Sequence, residues 1–281
     1  MTAGVFAMVL GAALLHAAWN ALVKVNADRL VLVAIMQASQ IAVALLVVPF
    51  VAVPTPESWP YIFASTALNT AYFLFLIGAY RYGDLSHVYP IARGVAPLIV
   101  AVLSVAVVGE TLSGQAALSV VLIALGIMSL TLTRGAEGFR QPKAMLYAVG
   151  TGVFIAGYTV VDGMGARLAE TAHSYTFWVH LLNGIPITLL ALYLRRGQVT
   201  QSLRSSWKLG ALAGIVSLVA YWIVIWAMTQ APMAMVSAVR ETSMVFAVLF
   251  GVFFLKERLN LTRLASIGTT LIGTVMLKLS K

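Results

Sequence analysis

The chain has 281 residues, of which 61% are hydrophobic and only 10% charged, and its mean hydropathy is +0.95. Soluble domains carry about 25% charged residues, so this composition excludes an ordinary soluble protein and calls for lipid around the apolar surface. The net charge of +9 does not point to a nucleic-acid partner, because the basic residues sit in short links between apolar runs, and the lack of cysteine excludes disulfides and thiolate metal sites.

The N-terminus, MTAGVFAMVL, has no positive n-region. Trp19 and Asn20 fall where a small-residue cleavage site belongs, so no cleaved signal peptide is expected. A spanning helix needs about 20 mostly apolar residues. Ten segments qualify: 3–23, 30–52, 60–80, 86–108, 115–132, 144–163, 173–194, 208–228, 233–255 and 262–278. Small residues recur at Gly4, Ala7 and Gly11 in the first and at Gly150, Gly152 and Gly157 in the sixth. That spacing predicts close helix packing in lipid. PTPESWP (54–60) opens the third helix, and GETLSG (109–114) separates the fourth from the fifth. Ser113 and Asn260 stand where N-caps of the fifth and tenth helices belong. TRGAEGFRQPK (133–143) is the longest polar link of the first half.

The stretch from Tyr80 to Leu130 recurs near the C-terminus. Arg93 falls on Arg240, Glu110 on Glu257, Ser119 on Ser266 and Gly126 on Gly273, all at one shift of 147 positions (240 − 93 = 147). A constant shift indicates an internal repeat. The chain then divides into two five-helix units, 1–135 and 144–281. Five is odd, so the second unit enters the membrane from the opposite side. The expected fold is an all-α integral membrane protein of ten transmembrane helices, built as two inverted repeats around a central cavity, an arrangement typical of secondary transporters.

Counting Lys and Arg sets the orientation. Lys24, Arg29, Arg81, Arg134, Arg140, Lys143, Arg195, Arg196, Arg204, Lys208, Lys256, Arg258 and Arg263 share one side, against Arg167, Lys278 and Lys281 on the other. The positive-inside rule places the first group in the cytoplasm and both termini outside.

Polar side chains in hydrocarbon are costly and usually face a cavity or one another. Counting from helix ends at 1.5 Å per residue puts His16, Gln40, Asn69, His180 and Asn183 near the midplane. His16 and Asn20 share a face of the first helix with Trp19 beside them, and Asn69 shares a face with Tyr72. Tyr158, Tyr221 and Trp222 add aromatic groups, and Gly184 with Pro186 is expected to break the seventh helix. Together these eleven residues are the candidate substrate cavity. Asp162 and Glu241 are the main carboxylates within the spans, and the first helix has no acidic residue. Arg93 and Arg240 each precede their repeat's glutamate by seventeen residues (110 − 93 = 17), roughly 25 Å of helix. That distance places them near opposite mouths of the cavity, either as a gating pair or as arginines that snorkel to the lipid headgroups. Glu110 and Glu257 are expected to be structural, stabilising the links after the fourth and ninth helices.

HExxH, P-loop and G-x-S-x-G motifs are absent, as are carboxylate pairs at catalytic spacing. His87 and Asp84 are the only acid–base neighbours near an interface. No enzymatic activity, cofactor or metal is expected.

Three stretches carry a resemblance: LLHAAWNALVK (14–24), SHVYPIARGVAPLIVAVLSVAVVGETLS (86–113) and SAVRETSMVFAVLFGVFFLKERLN (237–260). With them the chain resembles the drug/metabolite transporter superfamily in its ten-helix EamA branch, and within it looks most like the YddG-type amino-acid exporters. The resemblance implies a basket of helices around a central cavity and export of amino acids or related metabolites. Four-helix multidrug members of that superfamily exchange protons on a glutamate in helix one. This chain has none there, so that coupling is not carried over. The leading expectation is a monomeric exporter of small metabolites, aromatic amino acids included, in a bacterial inner membrane. The alternatives are a multidrug exporter and a membrane enzyme acting on lipid-linked substrates.

Overall fold

A computed structural model describes residues 1–24, 29–83, 85–134, 141–194, 199–255 and 260–280. Those residues are helical nearly throughout and contain no strand. Hydrocarbon offers no hydrogen bonds, so an apolar run must satisfy its own backbone, and a helix does so within one segment. The elements are α1 (Ala3–Lys24), α2 (Arg29–Val47), α3 (Trp59–Tyr82), α4 (Leu85–Ala106), α5 (Gly114–Met128), α6 (Pro142–Leu168), α7 (Ala172–Leu194), α8 (Val199–Gln230), α9 (Met233–Arg240), α10 (Ser243–Leu255) and α11 (Leu261–Leu279). Nine described segments are long and apolar enough to cross a membrane, with α9 and α10 together forming one. The tenth, α11, has 19 residues, about 28 Å of helix. The chain is an all-helical multi-pass membrane protein.

Three elements differ from the sequence reading. The ninth span is not one rod. Glu241 and Thr242 form a tight turn between α9 and α10, held by i→i+3 bonds from the Thr242 amide to Val239 and from the Met244 amide to Glu241. The seventh span is not broken, because α7 runs through Gly184 and Pro186. Gly184 instead admits α2: a Cβ there would lie 2.6 Å from the Ile41 side chain. The glycines of α1 do not mediate packing, since a Cβ at Gly4 or Gly11 would meet nothing within 4 Å. In α6 the expectation holds at Gly150 and Gly152, where an added Cβ would come within 2.6 Å of Phe75 and 2.8 Å of the Ala92 carbonyl. Gly157 makes only ordinary contact with Leu68.

Packing follows a regular pattern. α1 lies on α8 and α6 on α3, α2 lies on α8 and α7 on α3, and α4 lies on α6 while α9 and α10 lie on α1. α2 also meets α7, α4 meets α9, and α5 meets α11. The last pair is packed backbone to backbone. A Cβ at Gly126 would be 2.9 Å from the Thr270 amide, and one at Gly273 would be 3.0 Å from the Ser119 carbonyl. Ser129 and Ser266 join their hydroxyls across it at 2.5 Å. The main core gathers Val9, Val100, Ile123, Val224, Met228, Met233 and Val239 from five helices.

Both anticipated N-caps form. The Ser113 hydroxyl accepts from the Ala116 amide at 3.3 Å, and Asn260 Oδ1 accepts from the Arg263 amide at 2.9 Å. Gly109 takes a left-handed φ of 75° just after α4, a conformation open to glycine without strain.

Candidate functional site

Four of the eleven candidate cavity residues form one strip. The Tyr72 ring meets Tyr158 edge-on at 5.8 Å, Tyr158 meets Tyr221 at 6.0 Å, and Tyr221 meets His180 at 5.9 Å. These residues come from α3, α6, α8 and α7, and only the helix packing above brings them together. His180 Nδ1 donates to the Thr176 carbonyl at 2.8 Å, because a carbonyl oxygen can only accept. In the neutral ring that leaves Nε2 as an acceptor. Asn69, one turn from Tyr72, keeps a buried Oδ1 with no hydrogen-bond partner among the described residues.

Below the strip lies Asp162, wholly buried on α6. Tyr221 donates its hydroxyl to one carboxylate oxygen at 2.6 Å and Tyr175 to the other at 3.0 Å. Ser65 lies beside it. The network continues to Asn183, whose amide donates to Ser65 at 3.4 Å and whose Oδ1 accepts from Thr66 at 2.7 Å. Hydroxyl donors thus satisfy this carboxylate, and no cation pairs with it among the described residues. Asn183 holds α3 against α7.

The α1 group forms a second constellation. Trp19 Nε1 donates to His16 Nδ1 at 3.3 Å, and the Asn20 amide donates to the His16 carbonyl at 2.8 Å. The Tyr89 hydroxyl reaches Asn20 Oδ1 at 3.5 Å, and the Tyr89 ring stands 5.9 Å from the Arg93 guanidinium. Two candidates lie elsewhere. Gln40 donates to the Gly214 carbonyl at 3.2 Å and ties α2 to α8. Trp222 donates to His173 Nδ1 at 2.8 Å and packs with Phe177, Val43 and Val47 between α2, α7 and α8.

The arginines correct the expectation most. Arg93 and Arg240 do not stand at opposite mouths. Both reach Glu241, Arg93 Nε at 2.7 Å from Oε2 and Arg240 Nη2 at 3.2 Å from Oε1. All three are buried, at 4%, 3% and 0% exposure, which rules out snorkelling to the lipid headgroups. Counting along continuous rods failed for two reasons. Helix α4 ends at Ala106, four residues short of Glu110, and the ninth span turns at Glu241. Glu257 lies outside the described residues. Burying ions costs several kcal/mol each after relaxation, so a triad of this kind is a costly feature for a protein to keep. Glu241 stands out in the sequence as one of the two main carboxylates within the spans but is not among the eleven cavity residues, although a carboxylate directly after an arginine in an apolar run is a readable signal. Asp162, alone in α6, gave the same kind of signal.

Glu110 reaches across the fold rather than serving its own link alone. Its carboxylate accepts from the Met233 amide at 2.9 Å, at the start of α9, and pairs with Arg167 at 2.5 Å. Arg167 also donates to the carbonyls of Met228 and Ala231 at the end of α8.

A solved crystal structure matches this fold with a TM-score of 0.81 at 16% identity, covering 99% of this chain and 98% of its own. At that identity the likeness is one of fold. No curated protein matches the sequence. The match that bears on the chain's kind is to the EamA-like transporter family, whose profile fits residues 142–279, the second half of the chain.

Proposed function

We propose that this protein is a secondary transporter that exports small metabolites, amino acids including aromatic ones, across the bacterial inner membrane. It works by alternating access to a cavity between two inverted halves, 1–135 and 144–281, as a monomer with both termini outside and without cofactor, in the manner of the YddG-type exporters. The observation that carries the transport reading is the EamA-like match over residues 142–279. The inverted halves are supported by the packing pattern, in which the pairings of α1 with α8, α2 with α8 and α4 with α6 recur as α6 with α3, α7 with α3 and α9–α10 with α1. The substrate class rests on the strip of Tyr72, Tyr158, Tyr221 and His180, whose rings offer apolar faces and hydrogen-bonding edges at one place.

Counterflow in proteoliposomes with a panel of labelled amino acids tests the reading. Saturable exchange of at least one aromatic amino acid is expected. Flux indistinguishable from empty liposomes across the whole panel overturns it.

A further inference from the structure

Two guanidiniums share one carboxylate at Glu241, so the buried triad carries one positive charge in excess. Its hydrogen bonding is also incomplete. Two guanidiniums present ten N–H donors. The described bonds use three of them, Arg93 Nη2 to Ser243 at 3.1 Å and Arg240 Nε and Nη2 to Glu241 Oε1 at 3.3 and 3.2 Å. Arg93 Nε and Glu241 Oε2 stand 2.7 Å apart as an ion pair, and among the described residues neither atom has a hydrogen-bond partner besides. One turn earlier on α9, the buried Ser237 hydroxyl has no partner among the described residues either. Surplus charge and idle donors in a buried site are what an incoming anion would satisfy.

We propose that Arg93 and Arg240 form the binding site for a carboxylate of the cargo, with Glu241 as the resident anion that the cargo displaces from Arg93. The proposal rests on the transport reading above and gives it a substrate class, small molecules bearing a free carboxylate. The site already seats a carboxylate, and the guanidinium fork matches that planar group. Charge favours the same choice. A singly charged carboxylate neutralises the excess, whereas a doubly charged phosphate would overshoot it. Position adds a consequence. Arg93 belongs to α4, and its contacts with Glu241 and Ser243 tie α4 to the joint between α9 and α10. A cargo carboxylate that takes Arg93 from Glu241 loosens that tie between the halves.

The test uses the purified full-length protein in detergent and three probes with one ring: 3-phenylpropionate, phenethylamine and phenyl phosphate, at matched ionic strength. At saturation 3-phenylpropionate should raise the Tm by about 2–4 °C, and phenethylamine should not. Arg93→Gln and Arg240→Gln should each abolish the shift. Glu241→Gln removes the resident competitor and should lower the half-saturating concentration about tenfold, with acetate now effective too. Should the arginine variants fail to fold, the Glu241→Gln comparison still decides. Equal shifts from acid and amine, a shift from the phosphate in place of the carboxylate, an unchanged shift in Arg93→Gln, or no carboxylate response in either wild type or Glu241→Gln would each overturn the site. Counterflow separates this from the transport reading. Carboxylate-dependent binding without flux of any probe keeps the site and sinks transport. Saturable flux of the amine as fast as the acid keeps transport and sinks the site.

Discussion

Glu110 and Met233 meet across the two halves of the chain, the carboxylate of one accepting from the backbone amide of the other at 2.9 Å. A carboxylate at a helix N-terminus satisfies an orphan amide and faces the positive end of the helix dipole. Here it also holds Arg167, whose guanidinium closes the end of α8. One side chain therefore joins the α4–α5 link, the end of α6, the end of α8 and the start of α9. Glu110→Ala should cost about 1–2 kcal/mol. Glu110→Gln, which keeps an acceptor for the amide, should cost less. Thermal unfolding in detergent gives the order, and a glutamine variant less stable than the alanine variant would contradict the cap.

Among the described residues Asp162 is held by hydroxyls alone, so its neighbours depend on it as an acceptor. Asp162→Leu strands the hydroxyl of Tyr175, which is fully buried, at about 1–3 kcal/mol. Adding Tyr175→Phe should recover part of that loss. A double-mutant cycle on Tm measures the coupling, and strictly additive losses would show that the two side chains do not depend on one another.

Glycines divide by what they face. At Gly214 an added methyl would sit 2.6 Å from the Met36 carbonyl and would also collide with the Ser39 hydroxyl. Backbone cannot yield as a side-chain tip can. Gly214→Ala should push α8 off α2 and cost about 1–3 kcal/mol. Gly11→Ala, with open space around it, should be neutral or stabilising by up to about 1 kcal/mol. Comparable losses at both positions would refute the packing described for α2 and α8.

The chain lacks cysteine, so single cysteines report cleanly on water access. Cysteines replacing Tyr72, Tyr158 and Tyr221 should react with a hydrophilic thiol reagent in membranes. A cysteine at Gln40, whose side chain is sealed between α2 and α8, should not. Protection of all three tyrosine positions in every condition would remove the case for a cavity along the strip.

Orientation has its own assay. The thirteen-to-three bias of basic residues predicts an external C-terminus. A reporter active only in the cytoplasm, fused after Lys281, should stay silent, and strong activity would invert the whole topology.

Much of the fold was legible because each span is a separate apolar run and the short links fix where neighbours turn back. The caps at Ser113 and Asn260 were legible for the same local reason. The turn at Glu241–Thr242 was not, since no proline or glycine marks it and the apolar run continues on both sides. The convergence of Arg93 and Arg240 was hidden in another way. Arg93 and Glu241 are 148 positions apart (241 − 93 = 148), and only the approach of α4 to α9 brings them together. The cavity set was read by depth, and depth alone does not say which way a side chain faces. Trp222 sits at the depth of Tyr221 but one residue on, so about 100° around the helix, and it joins the α2–α7 face instead.

The seam between α5 and α11 sets an order on how the protein is made. Gly126, Ser119 and Ser129 offer a surface shaped for backbone, yet the helix that fills it contains the glycine, serine and threonine at 273, 266 and 270. Synthesis runs from the N-terminus, so α5 enters the bilayer long before its partner exists. Through that interval its small-residue groove is turned to lipid or to whatever helix attends nascent membrane proteins. Translation of the last span is the step that relieves α5. A ribosome that stalls after α10 therefore releases a chain whose defect lies in its first half, where a quality-control protease can find it.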